Sequence, residues 1–208
     1  MAGASDLKET ARIEAFSDGV FAIAITLLVL ELKAPTGGPL LRHLLQEWPA
    51  YVAYLVSFAF ILIMWVNHHW MFQHIARSDQ GLMLLNGLLL LGITVVPFPT
   101  IVLAQYALTP DARIAAAFYS GWFCLIAIFF NLVWFWASHD GRLLSTEDRE
   151  AHLAEIITRR YMFGPVSYFV AFLLAFIWAP GSLALNVLLA VFFALPREFK
   201  LPGRPRQT

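Results

Sequence analysis

Arg12, Ser17 and Asp18 stand close together at the head of an apolar run, "RIEAFSDGVFAIAITLLVLEL", residues 12–32. A carboxylate at the edge of hydrocarbon is costly unless it is paired, and acids within membranes mark ion pathways or proton relays. Ser17 and Asp18 can also do a plainer job by capping the start of a helix. A second polar group closes the next apolar run, "WVNHHWMFQHIARSD", which holds Trp65, His68, His69 and His74. Trp65 and His69 are four apart and share a helix face, and His68 and Phe72 form the adjacent pair. If the two runs pass in opposite directions, Asp18 or Ser17 can meet His68 or His69, with Arg12 joining the same polar knot.

Other chemistries find no support in these residues. The histidines at 68, 69 and 74 contain no pair four apart and no carboxylate between them, so no metal site is expected. Neither a glycine-framed serine elbow nor a phosphate-cradling glycine loop nor a dinucleotide fingerprint is present. The chain does not read as an enzyme, and no bound cofactor is expected.

The elements that must position the polar groups are set by composition. Of 208 residues, 60% are hydrophobic and 13% charged, with a mean hydropathy of +0.69. Soluble domains carry roughly 25% charged residues, so this is an all-α polytopic membrane protein. Its net charge is zero, which removes a global basic field and with it nucleic acid as a partner. The one cysteine, Cys124, lies in an apolar run and reads as a small buried hydrophobe. The first apolar run is about as long as a crossing and has charged flanks, so it is expected to remain as a helix and not be cleaved.

Six apolar segments are expected, at about 13–32, 49–73, 81–106, 113–137, 161–179 and 182–195, forming one transmembrane unit over residues 1–208. "KAPTGGP", "TPDAR" and "APGS" punctuate them, and "VVPFPT" is a candidate interruption of the third. The longest polar stretch, "SHDGRLLSTEDREAHLAEIITRR", contains a helix-starting segment expected at the membrane interface. With an even number of crossings, eleven basic residues share the side of the termini: Lys8, Arg12, Arg77, Arg142, Arg149, Arg159, Arg160, Arg197, Lys200, Arg204 and Arg206. Lys33, Arg42 and Arg113 lie opposite. The positive-inside rule then puts both termini in the cytoplasm.

Within the first helix, Gly19, Ile23, Thr26, Leu27 and Leu30 fall on one face, whereas Asp18 lies roughly 140° around from Ile23. That stripe can face an axis where rings from several copies form constrictions, or it can serve ordinary packing and lipid contact. Thr26 is either the one hydroxyl on such a pathway or a residue bonded back to its own helix carbonyl. No second copy of "FSD" occurs, so no internal duplication is visible, and a pathway on a symmetry axis requires several copies.

"RIEAFSDGVFAIAITLLVLEL" resembles the first helix of the transmembrane protein 175 family, the potassium channels with an R-x-x-x-F-S-D signature, here Arg12, Phe16, Ser17 and Asp18. "WVNHHWMF" is similar to its second helix. The resemblance implies six helices per subunit and a homotetramer in the cell membrane with the first helix lining a central pore. It implies Ile23 as a hydrophobic constriction, Thr26 as a polar ring, and Leu30 as a further constriction. Arg12, Ser17, Asp18, Trp65 and His69, with His68 beside them, become the network that docks the first helix on the second. The function implied is a potassium-preferring, modestly selective, non-voltage-gated cation channel with permeant potassium as its only small partner. The alternative is a proton-coupled secondary transporter with Asp18 and His69 as relay.

Overall fold

Within hydrocarbon every backbone N–H and C=O must be satisfied inside the protein, which leaves these apolar runs only the helix. The computed structural model describes residues 6–34, 38–141, 143–145 and 153–194. Helix α1 spans Asp6–Leu27 and tightens into a 3-10 turn over Leu28–Glu31. A short α2 (Leu40–Gln46) precedes α3 (Trp48–Phe72). Then come α4 (Gln80–Val95), α5 (Pro97–Tyr106), α6 (Ala112–Ser138), α7 (Leu153–Ala175) and α8 (Ala179–Ala194). Among the described residues the extended structure is one antiparallel bridge, between Ile75 and Leu144, which ties the turn after α3 to the turn after α6.

Four of these stretches are long and apolar enough to cross a membrane: Thr10–Glu31, Trp48–Phe72, Gln80–Tyr106 and Ala112–Gly141. Helix α8 is apolar but shorter. Helix α7 carries Arg159 and Arg160 in its first half, so only its later part is uncharged.

Two sequence expectations need correction, those for "APGS" and for the start of the fifth run. The run at 81–106 is interrupted at "VVPFPT" into two helices, because Pro97 and Pro99 lack the N–H groups that would bond the carbonyls of Ile93 and Val95. The Ile93 carbonyl accepts instead from the Val96 N–H at 3.1 Å. "APGS" is not a link but the first turn of α8, with Pro180 where a missing N–H costs nothing. A side chain in place of Gly181 would meet the Trp178 ring, which would have to shift. Finally, α7 begins at Leu153 and continues unbroken into the apolar run. The rest of the expected interfacial segment, 146–152, lies outside the described residues, as do Arg142, Arg149, Arg197, Lys200, Arg204 and Arg206.

The core is aromatic. Phe60, Tyr119, Phe123, Phe130, Trp134 and Tyr168 are buried where α3, α6 and α7 pack. Buried hydroxyls and amides cross-link the helices through it. Thr100 donates to Ser57 at 2.7 Å, and Ser57 shares a 2.9 Å hydrogen bond with Tyr119. Asn186 donates to Ser120 at 2.7 Å, and Ser182 donates to the Ala171 carbonyl at the same distance. Each such bond contributes ~0.6 kcal/mol on average within a bilayer.

Candidate functional site

Helix α1 has two opposed faces. Ser17, Phe21, Ala24 and Leu28, spaced four, three and four apart, are fully buried against the bundle. On the other side Phe16, Ile23, Thr26, Leu27 and Leu30 are uncovered, with Ile23 58% and Leu30 69% exposed. The chain's own helices therefore leave this stripe free. Two grooves flank it. One, of about 550 Å³, runs between α1 and α4 past Arg12, Phe16 and Asn86. The other, of about 650 Å³, lies between Leu27, Leu30 and Glu31 and the α4–α5 bend at Thr94, Pro97 and Phe98.

Thr26 Oγ donates to the Ile23 carbonyl at 2.9 Å. The hydroxyl is therefore bonded back to its own helix. Its proton is held by the helix, which leaves the oxygen's lone pairs on the uncovered face, the arrangement a cation would require.

Behind this face lies the polar anchor, built on three helices. Trp65 of α3 donates its indole N–H to Asp18 Oδ1 at 2.7 Å. A carboxylate acceptor makes this the stronger, charge-assisted kind of hydrogen bond. His69 stacks on the Trp65 ring with centroids 6.2 Å apart, and accepts from the Gln73 side-chain amide at 3.1 Å. A separate chain of bonds starts at His68, whose Nε2 donates to Asn86 Oδ1 at 2.9 Å. The Asn86 amide donates to Ser17 Oγ at 3.0 Å, and Ser17 donates to the Ile13 carbonyl at 2.8 Å. His68, Asn86 and Ser17 are all buried. The His68 ring packs among Phe21, Phe72 and Phe130.

The polar side chains of α1 and α3 do gather here, but none of the expected pairings forms. Neither histidine bonds Asp18: its partner is Trp65, while His68 reaches Ser17 through Asn86. Arg12 does not join it. Among the described residues Arg12 forms no hydrogen bond or ion pair, and it lines the groove beside α4. Asn86 is the residue that sequence reasoning missed. Its signal is a lone amide in "LMLLNGLLLL", where burial in hydrocarbon demands a partner. No group of three or more histidine, cysteine or acidic side chains is placed to hold a metal among the described residues.

Comparison with known proteins matches this architecture. Residues 12–97, which include the polar anchor and most of both grooves, match the family described as the endosomal/lysosomal potassium channel TMEM175. A potassium channel of Chamaesiphon minutus is 51% identical over 201 residues, 94% of this chain and 98% of that one. A potassium channel of Streptomyces collinus is 43% identical over 202 residues, 95% and 97% of the two chains. The crystal structure of a lysosomal potassium-selective channel TMEM175 homolog from Chamaesiphon minutus superposes with a TM-score of 0.82 at 50% identity. It covers 90% of this chain and 97% of that one. An identity of this size, sustained along nearly the whole of both chains, assigns the protein to the TMEM175 family.

Proposed function

We propose that the protein is a potassium channel of the cell membrane. In this reading four copies bring their α1 helices together on a common axis, six helices of each copy cross the bilayer, and both termini are cytoplasmic. Ile23 forms a hydrophobic constriction, Thr26 and Leu27 the ring next to it, and Leu30 a further constriction toward the outside. The carrying observation is the uncovered stripe of α1, backed by a buried anchor on the opposite side of the same helix. The flanking grooves are sized for side chains of a neighbouring copy and lie beside the residues that would face the axis.

Selectivity in such a pore is modest. One ring of threonine hydroxyls between aliphatic rings offers an ion far less coordination than stacked carbonyls do. No run of arginines at every third position occurs in the sequence, so there is no arginine ladder to sense voltage. Potassium that enters must shed water at Ile23, and the barrier there sets the flux.

The test is ion flux from proteoliposomes loaded with potassium and diluted into sodium. Efflux that needs only a charge-compensating protonophore, and that rises in Ile23→Asn, supports a pore lined by α1. Flux that appears only with a proton gradient, saturates with a fixed stoichiometry and ignores Ile23→Asn overturns the reading in favour of coupled transport.

A further inference from the structure

Between α1 and α3 lies a seven-residue helix that the channel reading does not use. In α2, "LLRHLLQ", Leu40, Leu41, Leu44 and Leu45 are all exposed. At 100° per residue these four fall within an arc of about 140°, and Arg42, His43 and Gln46 fill the remainder of the circle. The helix therefore has one wholly leucine face and one wholly polar face.

The four leucines are not core, since none is covered by the chain's own helices. On the polar face Gly38 sits against the His43 ring. Gly38 has φ +70°, and a side chain there would collide with that ring. The leucine face receives no such cover. Connectivity limits what else can lie against it. Glu47 alone separates α2 from α3, a membrane-crossing helix that opens at Trp48 with Tyr51 one turn on. Trp and Tyr at a helix end mark the level of the lipid headgroups. Helix α2 is thus held within a residue of that level and cannot leave it.

We infer that α2 is an interfacial helix seated in the leaflet opposite the chain termini. Its four leucines enter the acyl boundary, and Arg42 turns up to the lipid phosphates. The arrangement matches the general form of helices that lie in the membrane plane, with apolar residues ~5–10 Å below the headgroups and a basic residue above. Its shortness is no obstacle, because the chain is tethered on both sides and need not bind from solution. Lys33 in the preceding linker is likewise exposed, and Glu31 and Glu47 are the acidic residues nearest these two cations in the sequence. The occupant is therefore a bilayer surface carrying phosphate headgroups. The seat also fixes the height of the outer end of α1, to which α2 is joined through residues 32–39. This inference rests only on membrane embedding and not on ion conduction.

The test reads depth, not flux. In the full-length chain with Cys124→Ser, single cysteines Leu41→Cys, Leu45→Cys and Arg42→Cys carry an environment-sensitive label. The protein is reconstituted in phosphatidylcholine–phosphatidylglycerol vesicles, with either lipids brominated just below the headgroup or aqueous iodide as quencher. The expected result is blue-shifted emission at 41 and 45 that brominated lipid quenches and iodide does not, with the label at 42 quenched by iodide. Either leucine position suffices if the other variant fails to fold. Equal iodide quenching at all three places α2 in water and overturns the inference. Labels at 41 and 45 shielded from both quenchers, and already shielded in the oligomer in detergent, place the leucines on another copy of the chain and overturn it equally.

Discussion

Asn131 of α6 donates its side-chain amide to the carbonyl of Tyr161, 2.9 Å away in α7. That carbonyl is the one Pro165 deprives of a helical partner four residues later. The amide also bonds the Ala127 carbonyl of its own helix at 2.8 Å, so one side chain ties two helices at the point where one of them lacks a backbone hydrogen bond. Asn131→Ala should lower stability in detergent by ~1 kcal/mol. Thermal melting measures it, and the sharper check is the background. In Pro165→Ala the backbone N–H returns, the Tyr161 carbonyl is satisfied locally, and Asn131→Ala should lose most of its effect. An undiminished loss there would show that the amide works through packing.

The Asp18–Trp65 bond joins α1 to α3 at the level of the anchor. Its carboxylate is half-buried, so the lower end of the range for charged hydrogen bonds applies, a coupling of ~1.5 kcal/mol. A double-mutant cycle with Asp18→Ala and Trp65→Phe, followed by unfolding in detergent, measures it. Size-exclusion chromatography of Asp18→Ala should show less oligomer than the parent. An unchanged elution profile means that this bond does not hold the assembly.

Asn86 is the centre of the second set of bonds, and its loss reaches further than that of an ordinary surface amide. Asn86→Leu keeps the volume but leaves the buried Nε2–H of His68 without an acceptor and Ser17 without a donor. A stability loss of ~2 kcal/mol is expected. Replacing His68 and Asn86 together by apolar residues should recover part of that loss, since no buried donor then remains. Melting curves of the single and double variants decide the matter.

On the uncovered face of α1, Ile23→Asn should raise potassium flux and let more sodium through. If the aliphatic ring contributes a barrier of about 1.4 kcal/mol, its removal gives ~tenfold faster flux. Thr26→Val should lower potassium preference without raising the total flux, because it deletes the hydroxyl oxygen while keeping the shape. Potassium and sodium fluxes measured side by side separate the two effects. A Thr26→Val variant with parental fluxes would remove Thr26 from the pathway.

Much of this was readable from spacing. The apolar runs at 49–73 and 113–137 match α3 and α6 to within a residue, whereas α1 and α7 begin seven and eight residues before their runs because polar turns precede the apolar part. The heptad in "GVFAIAITLLVL" put Ile23, Thr26 and Leu30 on one face with Asp18 off it. Proline reading was mixed, since "VVPFPT" does interrupt its run, whereas "APGS" opens a helix because proline suits a first turn as well as a loop. The partners inside the anchor were not readable. Trp65, His68 and His69 occupy neighbouring directions on α3, and a small rotation of that helix decides which of them meets α1. Trp65 faces Asp18, and His68 turns into the bundle, where Asn86 waits on a third helix. An isolated amide in a leucine run carries no spacing pattern, so its partner appears only when α4 is laid beside α1 and α3. Arg12 illustrates the opposite limit: its nearness in sequence placed it in the same polar knot, but six residues along the helix turn it about 120° away from Asp18.

The anchor behind α1 also sets an angular tolerance. Ser17 Oγ stands a few ångströms from the helix axis, given backbone atoms at about 2.3 Å radius. Its bond to Asn86 is 3.0 Å long, and a few tenths of an ångström more weakens it. By that lever, α1 can turn by only roughly ten degrees before the bond is lost. Ile23 and Leu30 sit on the far side of the same rigid cylinder and inherit the same limit. The direction in which these side chains aim is therefore decided on α3 and α4, well away from any ion. A substitution at position 86 would change the aim of the stripe without touching it.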